Sequence, residues 1–113
     1  MSADCLFCKI VRNEIPSKFV AETESCVAFR DINPQAPVHI LVVPRDHVAS
    51  LDTANDSAML GKVMLLAAKI ARDEGLAGRG YRVVINTGSD GGQSVAHLHV
   101  HLLGGRRMGW PPG

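Results

Sequence analysis

The longest regular pattern in the chain lies between residues 56 and 74, where apolar residues recur at steps of three and four positions and charged residues mark another face. This period is that of an α-helix, so the segment is predicted to be one long amphipathic helix that packs by its apolar stripe. Asn55 or Asp56 can cap the first turn, and Gly75 is suited to ending the last one.

Shorter apolar segments that are rich in β-branched residues are typical of strands. Two longer loops separate some of them, one at 31–37 with two prolines and one at 87–93 with several glycines. Consecutive strands joined by short turns favour an antiparallel meander sheet with the long helix packed on one face, which is an α+β fold. A compact apolar segment at 5–10 predicts a short helical turn. The predicted strands are residues 18–22, 25–30, 38–43, 80–86 and 94–103.

Length and composition predict one globular domain. The chain has 113 residues, of which 46% are hydrophobic and 20% charged, so we expect a single domain over 1–113 with 104–113 as a C-terminal tail. The net charge of +1 gives no basic excess, and no apolar run is long enough to span a bilayer, so neither a nucleic acid nor a membrane is an expected partner. The N-terminal residues lack the pattern of a secretory signal, and three cysteines do not make a disulfide framework. We therefore expect a cytoplasmic protein.

Three of the five histidines fall within five residues, at His97, His99 and His101. Side chains alternate along a strand, so these rings are predicted to share one face, about 6.6 Å apart from one to the next. Imidazole can act as a nucleophile, a proton carrier or a metal ligand near neutral pH. A strand that merely tolerates histidine on an exposed face is the alternative. A metal site built from all three is favoured over that alternative, although alternate positions on one strand do not converge easily on one ion.

A glycine pair, Gly91 and Gly92, precedes this strand. Alone, such a pair usually makes a hairpin connection. Together with Ser94 and the histidines it predicts a phosphate cradle, because glycine lets the backbone approach a ligand and offer N–H groups to an anion. No Lys-Ser or Lys-Thr pair follows, so this is not a P-loop.

The segment His97-Leu98-His99-Val100-His101-Leu102-Leu103 resembles the motif of the histidine-triad (HIT) family, in which three histidines alternate with apolar residues. Other segments, in the same order, are similar to the histidine-triad nucleotide-binding (Hint) branch of that family. They are residues 15–17, 28–32, 34–37, 39–44, 91–94 and 109–113. The resemblance covers nearly the whole chain.

This resemblance implies a HIT-like fold and a homodimer in which the sheets of two protomers join through the long helix and the strand at 80–86. It implies binding of purine nucleoside monophosphates and hydrolysis of nucleoside 5′-phosphoramidates. His99 would be the nucleophile that forms a nucleotidyl-histidine intermediate. His101 and His39 would orient the phosphate and manage protons, with His97 completing the triad. Trp110 and the tail would lie near the partner's active site.

The resemblance also implies a nucleotide pocket. Asp31 would accept hydrogen bonds from the ribose hydroxyls, and Asn86 would be an amide on the phosphate side. Ser94 and the backbone N–H groups near Gly92 and Val95 would hold phosphate oxygens. Taken alone, Asp31 is more typical of a turn cap and His39 of a sheet histidine. Apolar residues that would otherwise be plain core become the walls of the base pocket, namely Leu6, Phe7, Ile10, Phe29, Ile32 and Leu41. Ala96 stands where the family often has an aromatic residue.

Cys5 and Cys8 form a C-x-x-C pair, and with His47 and His97 they make a Cys₂His₂ donor set. Such a set is typical of a closed tetrahedral zinc site. Some histidine-triad proteins and the related galactose-1-phosphate uridylyltransferases are similar here, whereas other Hint-branch members lack the cysteines. The zinc would therefore be structural and not required for the chemistry. A buried pair of free thiols is the alternative. A thioredoxin-like role is disfavoured because no βαβ pattern surrounds the pair.

Three other functions stay open on the sequence alone. One is hydrolysis of dinucleoside polyphosphates, which belongs to another branch of the family; the ending at 109–113 and Ser94 favour the Hint branch. A second is nucleotidyl transfer, but the galactose-type enzymes are longer and carry glutamine where His101 stands. The third is a nucleotide-binding interaction module that is not an enzyme. The natural substrate, the base preference and the pathway cannot be read from these residues.

Overall fold

The computed structural model describes residues 5–113 as an α+β fold with one five-stranded sheet. The strands are β1 Phe19–Glu22, β2 Cys26–Arg30, β3 Val38–Pro44, β4 Arg82–Val84 and β5 Val100–Gly104. The helices are α1 Leu6–Val11, α2 Ser57–Asp73 and a single turn, α3, at Gly88–Gly91, with a 3-10 turn at Leu51–Thr53. Within this part of the chain no helix is long and apolar enough to cross a membrane. Residues 1–4, which entered the expectation of a cytoplasmic protein, lie outside the described residues.

All neighbouring strands of the sheet are antiparallel, in the order β1-β2-β3-β5-β4. The predicted antiparallel sheet with a long helix packed on it is therefore confirmed. The first three strands form a meander. After β3 the chain continues through α2 to β4, which lies at the edge of the sheet. The last strand, β5, then lies between β3 and β4. In this register His101 lies opposite Leu41, and His39 lies opposite Leu103.

Helix α2 forms where its period predicts it. The Asp56 side chain caps it by accepting a hydrogen bond from the backbone N–H of Met59 at 3.1 Å. Gly75 follows its end with φ at +75°, a left-handed conformation that glycine adopts without strain. The apolar stripe of α2 packs on one face of the sheet, and the core there includes Ile40, Val42, Val63, Leu66, Ala67, Ile70, Ala71, Val100 and Leu102.

The opposite face of the sheet is covered in part by α1. Phe7 packs edge-on against Phe29, with ring centroids 5.5 Å apart. Because β2 and β3 are covered on both faces, they are apolar almost without interruption rather than alternating. The second core consists of Cys5, Phe7, Cys8, Ile10, Val27, Phe29, Leu41 and Val43. This is the face on which the three alternating histidines lie.

The predicted strand over 94–103 is wrong in its first half, because β5 begins only at Val100. Val42 pairs with Val100, so Leu98 falls opposite Pro44, which has no N–H to donate to the ladder. The N–H of Leu98 instead donates to the carbonyl of Val48 at 2.6 Å. The predicted strand at 80–86 is likewise shorter, at Arg82–Val84. The loop predicted at 87–93 contains the short turn α3.

Candidate functional site

The three histidines keep their alternation although two of them precede the hydrogen-bonded strand. Leu98, Val100 and Leu102 are fully buried, and the rings of His97 and His99 pack against Phe7, with centroids 6.0 and 5.0 Å from it. The ring of His101 lies 4.9 Å from that of His99. The backbone bends at His97, whose N–H donates to the Val95 carbonyl at 2.9 Å, and yet its ring reaches the same phenylalanine as that of His99. The three histidine rings therefore lie on one side of the sheet although the strand pairing begins only at Val100.

One contact assigns the tautomer of His99. Its Nδ1 lies 2.7 Å from the backbone carbonyl oxygen of His97. A carbonyl can only accept, so Nδ1 must carry the hydrogen and donate it. In the neutral ring Nε2 then keeps its lone pair, which is the form required of a nucleophile or a base.

A chain of hydrogen bonds assigns the protons of His39 and His101 in the same way. The backbone N–H of Gln35 donates to Nδ1 of His39 at 3.0 Å, so the His39 proton is on Nε2. That Nε2 lies 2.9 Å from Nδ1 of His101 and 3.4 Å from Oδ2 of Asp31. Nδ1 of His101 therefore accepts, and a neutral His101 carries its proton on Nε2. The chain is polarised in one direction, from the Gln35 backbone towards Nε2 of His101.

Burial keeps these two histidines neutral. It lowers the pKa of His101 to about 4, and the neighbouring His99 and His39 add to that shift, while Asp31 opposes it. Burial also lowers the pKa of His39, again against the attraction of the Asp31 carboxylate. At neutral pH the polar chain therefore consists of neutral rings beside one carboxylate.

Asp31, His39 and His101 place one donor atom each within 4.8 Å of one another, which raises the question of a metal ion. A metal on Nε2 of His39 would require the ring proton on Nδ1, where the Gln35 N–H already points. The trio is therefore a hydrogen-bonded chain and not a metal site. Asp31 also caps its loop, since Oδ1 accepts from the backbone N–H of Asn33 at 2.8 Å.

A cavity of about 260 Å³ opens beside His99 and His101. It brings together most of the residues that the sequence assigned to the site, and it is apolar apart from a few polar groups, as small-molecule sites usually are. The assigned residues that line it are Leu6, Phe7, Ile10, Phe29, Asp31, Ile32, Leu41, Ser94, Val95, His99 and His101. A second cavity, of about 640 Å³, adjoins it through Asp31 and Ile32 and includes His39.

Four residues of the first cavity were not assigned from the sequence, namely Ile15, Pro16, Ser17 and Arg30. Residues 15–17 and Arg30 belong to segments that carry the family resemblance, which is the signal that could have found them. Asn86, Gly92 and His97 were assigned but do not line the cavity. Gly92, at a φ of +82°, ends the α3 turn.

Gln93 is a further residue that sequence reasoning missed. Its side-chain Nε2 donates to the carbonyls of Ala49 and Val95, at 2.8 and 3.0 Å, and its Oε1 accepts from the N–H of Gly88 at 3.1 Å. These bonds hold the segment that leads into the cavity wall at Ser94 and Val95. The adjoining glycine pair was the signal, but the backbone groups that Gln93 binds are set by tertiary structure.

The predicted metal ligands also meet in one place. Sγ of Cys5 lies 3.3 Å from Nδ1 of His97, and Sγ of Cys8 lies 3.3 Å from Nδ1 of His47 and 3.6 Å from that of His97. Tetrahedral zinc with Zn–S near 2.3 Å and Zn–N near 2.0 Å would separate sulfur and nitrogen by about 3.5 Å. The distances between the donor atoms therefore fit a closed zinc site.

The protons of this cluster support the same interpretation. Nε2 of His97 lies 2.9 Å from the carbonyl oxygen of Pro44 and so must donate to it, which leaves a lone pair on Nδ1 facing the thiols. Burial raises the pKa of the Cys8 thiol, and the adjacent Cys5 raises it further. Two buried sulfurs beside two ring nitrogens are a donor set that a divalent cation would stabilise as thiolates. Cys26 is a free, buried thiol on the other face of the sheet.

Comparison with known proteins identifies the class. The HIT domain family matches residues 12–108, and the chain belongs to that family. An uncharacterized HIT-like protein from Synechococcus elongatus is 56% identical over the whole of both chains. The 14 kDa zinc-binding protein of Zea mays is 54% identical over 96% of this chain and 87% of its own.

Solved structures agree with this assignment. A HIT family hydrolase from Legionella pneumophila superposes with a TM-score of 0.95 at 52% identity, covering 97% of this chain and 100% of its own. A HIT family hydrolase from Clostridium thermocellum gives a TM-score of 0.92 at 45% identity, with 96% of both chains covered. Because both neighbours are described as hydrolases, they support a hydrolase as the class of enzyme.

Proposed function

We propose that this protein is a purine nucleoside phosphoramidate hydrolase that acts through a nucleotidyl-histidine intermediate. The observation that carries the proposal is the hydrogen bond from Nδ1 of His99 to the His97 carbonyl oxygen, 2.7 Å long. It leaves the lone pair of the neutral ring on Nε2, and His99 lines a mostly apolar cavity that adjoins a second one through Asp31 and Ile32. The likeness to HIT family hydrolases supports hydrolysis as the type of reaction.

In the first step Nε2 of His99 attacks the phosphorus atom. The new N–P bond forms as the P–N bond to the leaving amine breaks, and the amine takes the electron pair of that bond. His101 is neutral and keeps its hydrogen on Nε2, from which it can donate a hydrogen bond to the departing nitrogen, while the proton that the amine gains comes from solvent water. His39 holds His101 in this tautomer by donating its Nε2–H to Nδ1 of His101. The products of this step are the free amine and a nucleotide bound to His99.

In the second step water replaces His99 on phosphorus. The attacking water gives up one proton to the solvent, which balances the proton that the amine took in the first step. The bond between His99 and phosphorus breaks, its electron pair returns to Nε2, and the nucleoside monophosphate leaves. Each ring returns to its starting state. Dividing the displacement in this way replaces one difficult step with two easier ones.

The other lining residues would hold the nucleotide. The base would lie among the apolar walls and the ribose hydroxyls would donate to the Asp31 carboxylate, which is only half-buried. Ser94 and Val95 line the same cavity, and the hydroxyl of Ser94 and the backbone N–H of Val95 would donate to phosphate oxygens. Asn86 and the N–H groups near Gly92 would complete the phosphate side, as the family resemblance implies.

Zinc in the Cys5, Cys8, His47 and His97 site would be structural. Four protein donors fill a tetrahedral shell, so the ion would have no position for water or substrate. It would tie α1 to the segments that carry His47 and His97, and the chemistry would belong to His99. The zinc-binding relative from Zea mays supports this proposal.

The assembly implied by the resemblance is a homodimer. The exposed side of α2 and of the turn after it carries Met64, Leu65 and Tyr81, which are 40%, 72% and 40% exposed, and β4 is an edge strand. Trp110, 83% exposed, lies in a tail held by the bond from Nη2 of Arg82 to the Gly109 carbonyl at 2.8 Å. In the dimer this tail would reach the partner's site and influence the choice of leaving group.

The proposal is tested by turnover of a fluorogenic adenosine phosphoramidate. His99→Ala should lose nearly all activity but still bind adenosine monophosphate, because the nucleophile is removed and the pocket is kept. Replacing His47, which lies outside the cavity, with cysteine keeps a zinc donor and serves as a folded control. Substantial turnover by His99→Ala would refute the assignment. Faster cleavage of a dinucleoside polyphosphate than of the phosphoramidate would move the protein to the other branch.

A further inference from the structure

The loop between β2 and β3, residues 31–37, is held by the segment that follows β5. Gly105 has a φ of +90°, and a Cβ atom at that position would lie 2.9 Å from Cβ of Pro37. Only glycine therefore allows the chain to turn this tightly against the loop. The contact brings the side chain of the next residue, Arg106, across the loop backbone.

Arg106 donates two hydrogen bonds to one backbone carbonyl of that loop. Its Nε and Nη2 both donate to the backbone oxygen of Gln35, at 3.2 and 3.0 Å. The guanidinium is planar and rigid, so two donors on one acceptor fix that acceptor's direction. The Gln35 side chain adds a bond to the carbonyl of Asn33 at 3.0 Å. Gln35 is thus held through both its main chain and its side chain although it is exposed.

The N–H of the same residue assigns the proton of His39. It donates to Nδ1 of His39 at 3.0 Å and thereby keeps the His39 proton on Nε2, which faces Nδ1 of His101. If that N–H turned away, His39 could carry its proton on Nδ1 instead. His101 would then carry its own hydrogen on Nδ1 and donate it to Nε2 of His39, so both rings would change tautomer together and Nε2 of His101 would lose its hydrogen.

We propose that Arg106 is a positioning residue that sets the tautomers of the His39–His101 pair through the backbone of Gln35. The role in catalysis rests on the proposed function, in which the Nε2–H of His101 donates a hydrogen bond to the leaving nitrogen. The role in setting the tautomer does not, because it concerns the free protein. Arg106 is exposed, and its side chain donates to the backbone carbonyls of Gln35 and Arg107, so replacing it removes no buried packing.

The direct test is the tautomer itself, read from the ¹⁵N chemical shifts of histidine side chains at a pH where the rings are neutral. In the wild type Nδ1 of His39 should give a pyridine-like shift and Nε2 a pyrrole-like shift. In Arg106→Ala both His39 nitrogens should move towards averaged values, because two tautomers are populated. Arg106→Lys keeps the charge but offers a single-point donor, so it should fall between the two. Arg107→Ala, which removes a neighbouring cation of the same type, should match the wild type.

Kinetics provide the second test. Arg106→Ala should lower kcat by about tenfold, the effect of losing one hydrogen bond that His101 makes as the P–N bond breaks, with KM changed less than about twofold because the nucleotide pocket is intact. Arg107→Ala should keep both constants. A merely structural role would lower the amount of folded protein without changing the His39 shifts.

The two hypotheses fail separately. If the wild type does not cleave phosphoramidates, the proposed function fails, and the ¹⁵N spectra still decide what Arg106 does. If Arg106→Ala keeps the wild-type His39 shifts and kcat, the positioning role is refuted. It is equally refuted if Arg107→Ala produces the same changes, since the effect would then be one of net charge. Should Arg106→Ala not fold, Arg106→Lys is measured in the same way and wild-type shifts would again refute the role.

Discussion

The carbonyl oxygen of His97 accepts the Nδ1–H of His99, while the ring of His97 faces the thiols of Cys5 and Cys8. One residue therefore belongs to both sites, through its side chain in the metal centre and through its main chain in the pocket. The ring is fully buried and is also fixed by the Pro44 carbonyl. Filling the metal site should therefore stabilise the backbone that assigns the proton of His99.

The first prediction concerns this metal site. Cys5→Ser combined with Cys8→Ser should lose zinc and lower the melting temperature, because metal binding at a closed site is part of the folding free energy. Since a loss of 1 kcal/mol already shifts the melting temperature by about 4 °C in a domain of this size, the drop should be easy to measure. Turnover per folded molecule should fall much less, because no ligand position is open to substrate.

Elemental analysis and thiol titration supply the controls for that prediction. Cys26→Ala removes a buried thiol on the other face of the sheet and should keep one zinc per chain. Protein prepared without chelators that contains well under one zinc per chain, with Cys5 and Cys8 freely titratable, would mean that the pair is simply two buried thiols.

The second prediction concerns Asp31. Its carboxylate is expected to accept hydrogen bonds from both ribose hydroxyls, and such charge-assisted bonds contribute roughly 1.5–3 kcal/mol each. Asp31→Ala should therefore weaken binding of adenosine monophosphate about tenfold or more, and binding of the 2′-deoxy nucleotide by less. Calorimetric titration of both nucleotides measures the difference.

Asp31→Asn separates this role from the turn. The amide oxygen can still accept from the N–H of Asn33, as Oδ1 does now at 2.8 Å, but the negative charge is gone. If Asp31→Asn binds both nucleotides as the wild type does while Asp31→Ala loses them equally, Asp31 only shapes the loop.

The parts of the structure that the sequence predicted are those controlled locally. Helix α2 carries its own period and its own cap at Asp56, and His97, His99 and His101 alternate with apolar residues in the sequence itself. The first residue of β5 was missed because the pairing ends at Pro44, a residue of another strand. Pro44 lies opposite Leu98 because of the register between β3 and β5, and the sequence near the histidines does not predict that register.

The residues that hold the site from outside were missed for a similar reason. Gln35 and Gln93 act through backbone groups of Ala49, Val95 and their own loops. No sequence pattern predicts hydrogen bonds between a glutamine and backbone groups of another loop, because the two come together only when the loops fold. Donor sets such as Cys₂His₂ were predictable because their chemistry restricts which residue types can serve.

The third prediction concerns pH and stability. Because burial lowers the pKa of His101 to about 4 from an ordinary value of 6.5, the unfolded chain binds a proton between these values that the folded chain does not. The free energy of unfolding should therefore fall as the pH falls from 6.5 to 4, and His101 should contribute nothing to this slope above that window. Urea unfolding of the wild type and of His101→Gln at several pH values measures the contribution. Both proteins keep the metal ligands, so acid release of zinc affects them alike, and parallel curves would show that His101 does not titrate in this way.

The fourth prediction concerns the dimer. The exposed leucine of α2, Leu65, lies on the side of the helix turned away from the sheet, and β4 leaves one edge of the sheet unpaired within residues 5–113. A two-fold contact that uses this surface should give one stable dimer at micromolar concentration, because an isologous interface buries the same patch on both protomers. Leu65→Glu should place two like charges near the two-fold axis and shift sedimentation towards the monomer.

Leu51→Glu is the control for this prediction, because it changes a leucine that is 40% exposed elsewhere on the surface and should leave the dimer intact. A wild-type protein that sediments as a monomer at this concentration would refute the assembly, and equal dissociation by both variants would place the interface elsewhere.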